Sequence, residues 1–321
     1  MTLVVEDLQT HFPTRAGLIR AVDGVSLSVG PGEILGLVGE SGSGKSITGF
    51  SILGLIDAPG HIAGGRVLFQ GRDLVGLPEE ELRSLRGARI AMVFQDPMMT
   101  LNPVLRIDTQ MIETVLAHDD VGREAARARA RAALARVGIP SPDERLMAYP
   151  HQFSGGMRQR VAIAIALLHK PELIIADEPT TALDVTIQGQ ILFEMRKLAR
   201  ESGTALIWIS HDLAVVSGLA DRIAVMYAGR IVESGPARAV LARPLHPYTR
   251  GLLDSLPRGT GRGHRLVAIP GMAPSLGRLP PGCAFAPRCP RATAACETMP
   301  DLAEVGDGRA VRCIHPLSQA A

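Results

Sequence analysis

An α/β fold built around a mostly parallel sheet is predicted by three observations. A glycine-rich octapeptide, Gly39-Glu40-Ser41-Gly42-Ser43-Gly44-Lys45-Ser46, stands between an apolar run at 34–38 and a helical pattern at 47–55. Beyond residue 170 short apolar strands alternate with helical segments, the arrangement that gives parallel pairing through crossover connections. Hydrophobic residues make up 46% of the 321-residue chain but aromatics only 3%. Aliphatic side chains must therefore fill the core, as buried parallel strands require.

The elements follow in order. Leu3-Val4-Val5 opens a strand pattern at once, so no signal peptide is expected. Residues 23–29 alternate apolar and polar, and Gly30-Pro31-Gly32 turns the chain into the run Ile34-Leu35-Gly36-Leu37-Val38. Residues 64–71 read as a hairpin arm and 90–94 as another strand. From 96 to about 168 the pattern is mostly helical, with Ala- and Arg-rich segments. Strands return at 173–176, 206–209 and 223–226, and a helix over 187–201 separates the first two. After His246-Pro247 prolines and glycines become dense and all four cysteines appear. That shift places a boundary between 1–245 and 246–321. There is no internal repeat.

Composition excludes several classes of function. The net charge of +2 is close to balance and leaves no nucleic-acid footprint. The densest basic stretch, 123–136, alternates Arg with Ala as a solvated helix face does. No apolar run approaches the roughly 18 residues that cross a bilayer. The longest, 161–168, reads as a buried helix. The expected place is the cytosol, or a membrane approached from that side.

Two groups of residues carry chemistry. In the octapeptide, glycines let successive N–H groups curl around an anion, and the following helix adds its positive end. Lys45 reaches phosphates and the Ser46 hydroxyl ligates magnesium in such loops. Leu173-Ile174-Ile175-Ala176-Asp177-Glu178 is an apolar strand ending in two carboxylates. Asp177 is placed to hold magnesium and Glu178, pointing differently, to take a proton from attacking water. Ser154-Gly155-Gly156, before a helical pattern at 157–168, is a second anion cradle at a helix start. One chain thus carries two cradles but a single Lys45.

Taken together these residues resemble the ATP-binding subunits of ABC transporters. Gly39 to Ser46, with Gly39, Ser41, Gly42, Ser43 and Gly44 lining it, is similar to their Walker A. Phe153-Ser154-Gly155-Gly156-Met157 is similar to the signature motif and 173–178 to Walker B. Met157 and Phe153 depart from the commonest signature, which has Gln and Leu there, without removing Ser154 or a backbone donor. Gln95 falls at the Q-loop glutamine, where it would also approach magnesium. Thr181-Ala182-Leu183-Asp184 resembles the D-loop, and His211 the switch histidine. Phe12 is the aromatic that the resemblance sets against adenine, with core packing as its other reading. The implied fold is a P-loop NTPase of ABC ATPase type with an antiparallel β arm, a helical subdomain at about 97–168 and a small Cys-rich C-terminal extension.

The resemblance further implies a head-to-tail pair of ATPase subunits, either two copies or two homologous chains. Ser154 would then meet the γ-phosphate held by the partner, and Asp184 would act across the interface. Phe94-Gln95-Asp96-Pro97-Met98, Leu101-Asn102-Pro103 and His246-Pro247-Tyr248-Thr249 resemble the dipeptide/oligopeptide (and nickel) importer branch. That branch implies two membrane permease subunits and an extracytoplasmic substrate-binding protein as partners, with this chain peripheral on the cytoplasmic face of a bacterial plasma membrane. Cys283, Cys289, Cys296 and Cys313 follow the spacing Cys-x5-Cys-x6-Cys-x16-Cys. In a cytosolic chain such clusters read as metal ligands rather than disulfides. The branch implies a [4Fe–4S] cluster, and four thiolates suit it. Zinc, which favours tighter Cys pairs, and four small buried side chains remain open. The rival functions are a soluble ABC ATPase acting on nucleic acid or ribosomes with a zinc-binding tail, a purely regulatory nucleotide-binding subunit, and import of nickel or other small solutes.

Overall fold

A computed structural model describes residues 1–181, 183–256 and 268–317. Ala182 of the expected D-loop, and 257–267 and 318–321 of the extension, lie outside the described residues. The chain clusters into two compact units. One comprises Met1–Thr2, Val29–Ile34 and Gly76–Trp208, the other Leu3–Ser28, Leu35–Val75 and Ile209–Ala321.

In the first unit the strand Leu173–Asp177 lies between Ile90–Val93 and Ala205–Ser210. It pairs in parallel with Ile90–Val93, from Ile90 opposite Leu173 to Val93 opposite Ala176. Every residue of Leu173–Asp177 is buried, which explains why it reads as an unbroken apolar run rather than an alternating one. The unit also holds the helices Glu79–Leu85, Ile107–Leu116, Arg123–Arg136, Pro142–Leu146, Gly155–Ala166 and Val185–Ser202. Arg123–Arg136 buries Ala126, Ala130 and Leu134, a four-residue period that fits one helix face. Three of its five arginines find acidic partners: Arg127 pairs with Asp108 at 3.0 Å, Arg131 with Asp143 at 2.7 Å, and Arg129 with Asp119. Part of the local positive charge is answered within the unit.

In the second unit an antiparallel sheet runs in the order Gly17–Val29, Leu3–Thr14, His61–Phe69, Arg72–Asp73. This is the expected β arm. A second run places Ile34–Val38 parallel to Arg222–Tyr227, which pairs antiparallel with Arg230–Pro236. From the extension, Ala310–Val311 adds antiparallel to Arg230–Pro236, and Ala303–Glu304 adds beyond it. Dense in proline and glycine, the extension can build little core of its own. It solves this by continuing an existing sheet and by packing Phe285 against Tyr227, Tyr248 and His246, with ring centroids 5.4 to 5.8 Å apart.

Candidate functional site

The glycine-rich loop lies in the second unit. The fully buried strand Ile34–Val38 delivers the chain to it, and helix Lys45–Ile52 leaves from Gly44 in a left-handed conformation, φ 103°. A Cβ added at Gly44 would stand 2.3 Å from the carbonyl oxygen of Ala21, and one at Gly39 2.2 Å from that of Met226. Neither position has room for a side chain. Lys45 is 5% exposed, and its ammonium donates to the carbonyls of Gly39 and Glu40 at 2.8 and 3.0 Å. Its positive charge is therefore anchored to the loop's own backbone. Ser43 is buried, and its hydroxyl has no hydrogen-bond partner, a rarity that a loop awaiting a polar ligand explains. Ser41 and Gly42 are exposed and Ser46 half-buried. The loop fits a magnesium-bound polyphosphate.

Beside the loop is a cavity of about 350 Å³, walled by Glu40 to Ser43, Ile19, Tyr227 and residues 273–277. Phe12 is not among the lining residues. Its ring lies against Gly60, where an added Cβ would come within 2.3 Å of it. His211, also in this unit, is exposed just after the strand Ala205–Ser210. Asp212 caps the next helix by accepting from the Ala214 N–H at 2.7 Å.

The remaining candidates lie in the first unit. Asp177 closes the buried strand and is 3% exposed. Glu178 follows with φ 44°, a conformation that a non-glycine residue adopts at a cost and that clusters at functional sites. Its carboxylate accepts from the Gln95 amide at 3.4 Å and the Thr181 hydroxyl at 3.1 Å. Gln95 and Glu178, 83 residues apart, are thus brought together. The Gln159 amide donates to the carbonyl of Phe94 at 3.3 Å, tying the helix Gly155–Ala166 to the residue preceding Gln95. Ser154 caps that helix, its hydroxyl accepting from the Met157 N–H at 3.3 Å. Ser154 and Gly155 are exposed and Gly156 half-buried, while Phe153 anchors the turn in the core. Asp184 is exposed and caps Val185–Ser202 through the Ile187 N–H at 3.0 Å.

The four cysteines are free and half-buried. All four line one pocket, together with His246, Phe285 and His315. Burial pushes up the thiols of Cys283 and Cys289, and that of Cys313 to about 11, and their mutual repulsion adds to this. Among the described residues, however, no group of three or more His, Cys, Asp and Glu side chains has an arrangement that could hold a metal ion. The four thiols converge on one pocket without being gathered into a ligand set.

Three residues at the phosphate loop have a role the sequence did not assign them: Glu40 of the octapeptide, Tyr248 and Arg288. The Arg288 guanidinium meets the Glu40 carboxylate at 2.6 and 3.0 Å, and the Glu40 N–H donates to the Tyr248 hydroxyl at 2.8 Å. Pairs separated by more than 200 residues leave no periodic or local signal in a sequence.

Comparison with known proteins gives the family. The ABC transporter family matches residues 22–181. The C-terminal region of oligopeptide/dipeptide transporters matches 232–296, which takes in three of the cysteines and stops short of Cys313. The oligopeptide transport ATP-binding protein OppD of Escherichia coli (strain K12) is 49% identical over 317 residues, covering 99% of this chain and 94% of that protein. The dipeptide transport ATP-binding protein DppD of Bacillus subtilis (strain 168) is 48% identical, covering 97% of this chain and 93% of that protein. Among solved structures, the dimeric, ADP- and phosphate-bound ATP-binding cassette MJ0796 superposes with a TM-score of 0.68 at 28% identity, covering 74% of this chain and 99% of that one.

Proposed function

This chain belongs to the ABC transporter family of ATP-binding subunits, in its oligopeptide/dipeptide branch, and we propose that it hydrolyses ATP to drive uptake of di- and oligopeptides through two membrane permease subunits. The observation that carries the reading is the phosphate loop, with Lys45 anchored, Gly39 and Gly44 closed to side chains, and the peptide-importer extension packed against it. No helix among the described residues is long and apolar enough to cross a membrane, so transport needs membrane partners. Exposed Met98, Met99 and Val104 follow Gln95 directly. An apolar face there suits docking on a permease from the cytoplasmic side.

The residues divide the work. Lys45 and the loop N–H groups bind the phosphates, and Gly39, Ser41, Gly42, Ser43 and Gly44 shape that cradle. Ser46, Asp177 and Gln95 would hold magnesium, which neutralises charge on the transferring phosphoryl group. Glu178 takes the proton of the attacking water, with Gln95 and Thr181 fixing its carboxylate. His211 senses the γ-phosphate. Ser154, Gly155, Gly156 and Asp184, all on or near exposed helix starts, serve the nucleotide of a second ATPase subunit, either a copy or a homologue. Phe12 remains the aromatic proposed for adenine on the family's motif. Reconstitution with its permease subunits and an extracytoplasmic peptide-binding protein tests the whole reading. ATP-dependent peptide uptake is expected; ATP hydrolysis by the assembled system with no peptide uptake would sink it.

For the extension, the convergence of four thiols on one pocket supports a [4Fe–4S] cluster held by Cys283, Cys289, Cys296 and Cys313, serving as a structural cross-link. Replacing Cys289 or Cys313 by Ser is expected to abolish absorption near 400 nm and remove about four irons per chain in anaerobically purified protein. The extension should become protease-sensitive while the nucleotide is still bound. One zinc per colourless chain would replace the cluster with zinc, and a metal-free, protease-resistant extension would reject both.

A further inference from the structure

Glu40 directly follows Gly39 in the phosphate loop, and it is held on three sides. Its N–H donates to the Tyr248 hydroxyl at 2.8 Å. Its carbonyl accepts from the Lys45 ammonium at 3.0 Å. Its carboxylate takes both arms of the Arg288 guanidinium, at 2.6 and 3.0 Å. Two of the three partners come from the C-terminal extension, more than 200 residues away along the chain.

Those partners are themselves fixed. Arg288 is 7% exposed and Tyr248 fully buried. The Arg288 Nε donates to the carbonyl of Pro270 at 2.9 Å, and its Nη1 to the Tyr227 hydroxyl at 3.2 Å. Tyr248 packs on Tyr227 with centroids 4.5 Å apart. A bidentate guanidinium–carboxylate pair of this kind is strong and directional, and an arginine in it stays charged.

The sign of the charges matters. A carboxylate in a loop built to receive polyphosphate opposes its ligand. Arg288 cancels that charge, and by holding Glu40 it also fixes the carbonyl on which Lys45 rests. We propose that Arg288 and Tyr248 are positioning residues of the nucleotide site, through which the C-terminal extension shapes the phosphate loop and neutralises Glu40. The proposal rests on the ATP-binding reading above. The extension is in this view a working part of the ATP site, and residues 273–277 form an outer wall of the adjoining cavity.

The full-length protein tests this through ATP KM, kcat and direct affinity for a fluorescent ATP analogue. Arg288→Ala is expected to raise KM and weaken affinity about tenfold or more, the scale of a lost charge-assisted pair, with kcat changed less than about twofold. Arg288→Lys should fall between the two. Adding Glu40→Gln to Arg288→Ala should recover much of the affinity, because the uncompensated carboxylate is gone. A merely structural role would predict no such recovery. Unchanged ATP affinity in Arg288→Ala, or no recovery on adding Glu40→Gln, overturns the proposal. If Arg288→Ala does not fold, Tyr248→Phe removes only the hydroxyl that receives the Glu40 N–H; weaker ATP binding is expected, and unchanged binding counts against the proposal. Wild-type protein that fails to bind ATP would refute the underlying nucleotide reading instead.

Discussion

Replacing Glu178 by Gln is expected to leave ATP binding intact and to cut steady-state hydrolysis about 10²–10⁴-fold, the usual contribution of a general base. Gln has the same length and accepts the same left-handed backbone, so the change removes a proton acceptor and little else. The Thr181 hydroxyl can still donate to the amide oxygen, which keeps the side chain where the carboxylate stood. Loss of turnover without loss of affinity is therefore the diagnostic pattern. Nucleotide affinity and single-turnover hydrolysis, measured side by side, decide it. Hydrolysis within a few-fold of wild type would remove Glu178 from the chemistry.

The largest expected loss of stability lies elsewhere, at Glu233. This carboxylate is completely buried. It accepts from the N–H groups of Leu245 and His246 at 2.8 and 2.9 Å and from Arg309 at 2.8 Å. Arg309 is itself 4% exposed and also donates to the Arg243 carbonyl. Glu233→Ala strands a buried guanidinium and two buried N–H groups at once. Breaking a buried pair in this way typically costs about 3–5 kcal/mol. Because Leu245 and His246 lead into the extension, the damage should show first as loss of protection in 246–317. Thermal denaturation and limited proteolysis read both. A melting temperature within a degree of wild type would show that the network is dispensable.

What could be read from the sequence was local. The octapeptide and the strand ending Asp177-Glu178 are contiguous patterns whose chemistry sits in a few consecutive residues. Element positions were close for the same reason. The strand expected at 223–226 is Arg222–Tyr227, and the helix expected at 187–201 is Val185–Ser202. The helix expected at 47–55 is Lys45–Ile52 instead. It begins earlier because Gly44, in a left-handed conformation, serves as its cap, and glycine there looks like loop in a sequence. The illegible part was long-range. Nothing near Glu40 announces Arg288, and strands of two residues, such as Ala310–Val311, carry no periodicity. The convergence of four cysteines was legible from their clustering, whereas the distances among their sulfurs were not.

The two short strands of the extension bear on solubility as well as on shape. Without Ala310–Val311, the strand Arg230–Pro236 would turn a row of unpaired N–H and C=O groups outward, a template for another chain to add to. The outermost strand, Ala303–Glu304, is only two residues long, exposed and ends in a charge, which makes it a poor template in turn. The extension thus blunts the sheet edge. A chain clipped by protease, or terminated before residue 303, is expected to self-associate through that bared strand, visible as a rise in light scattering at unchanged protein concentration.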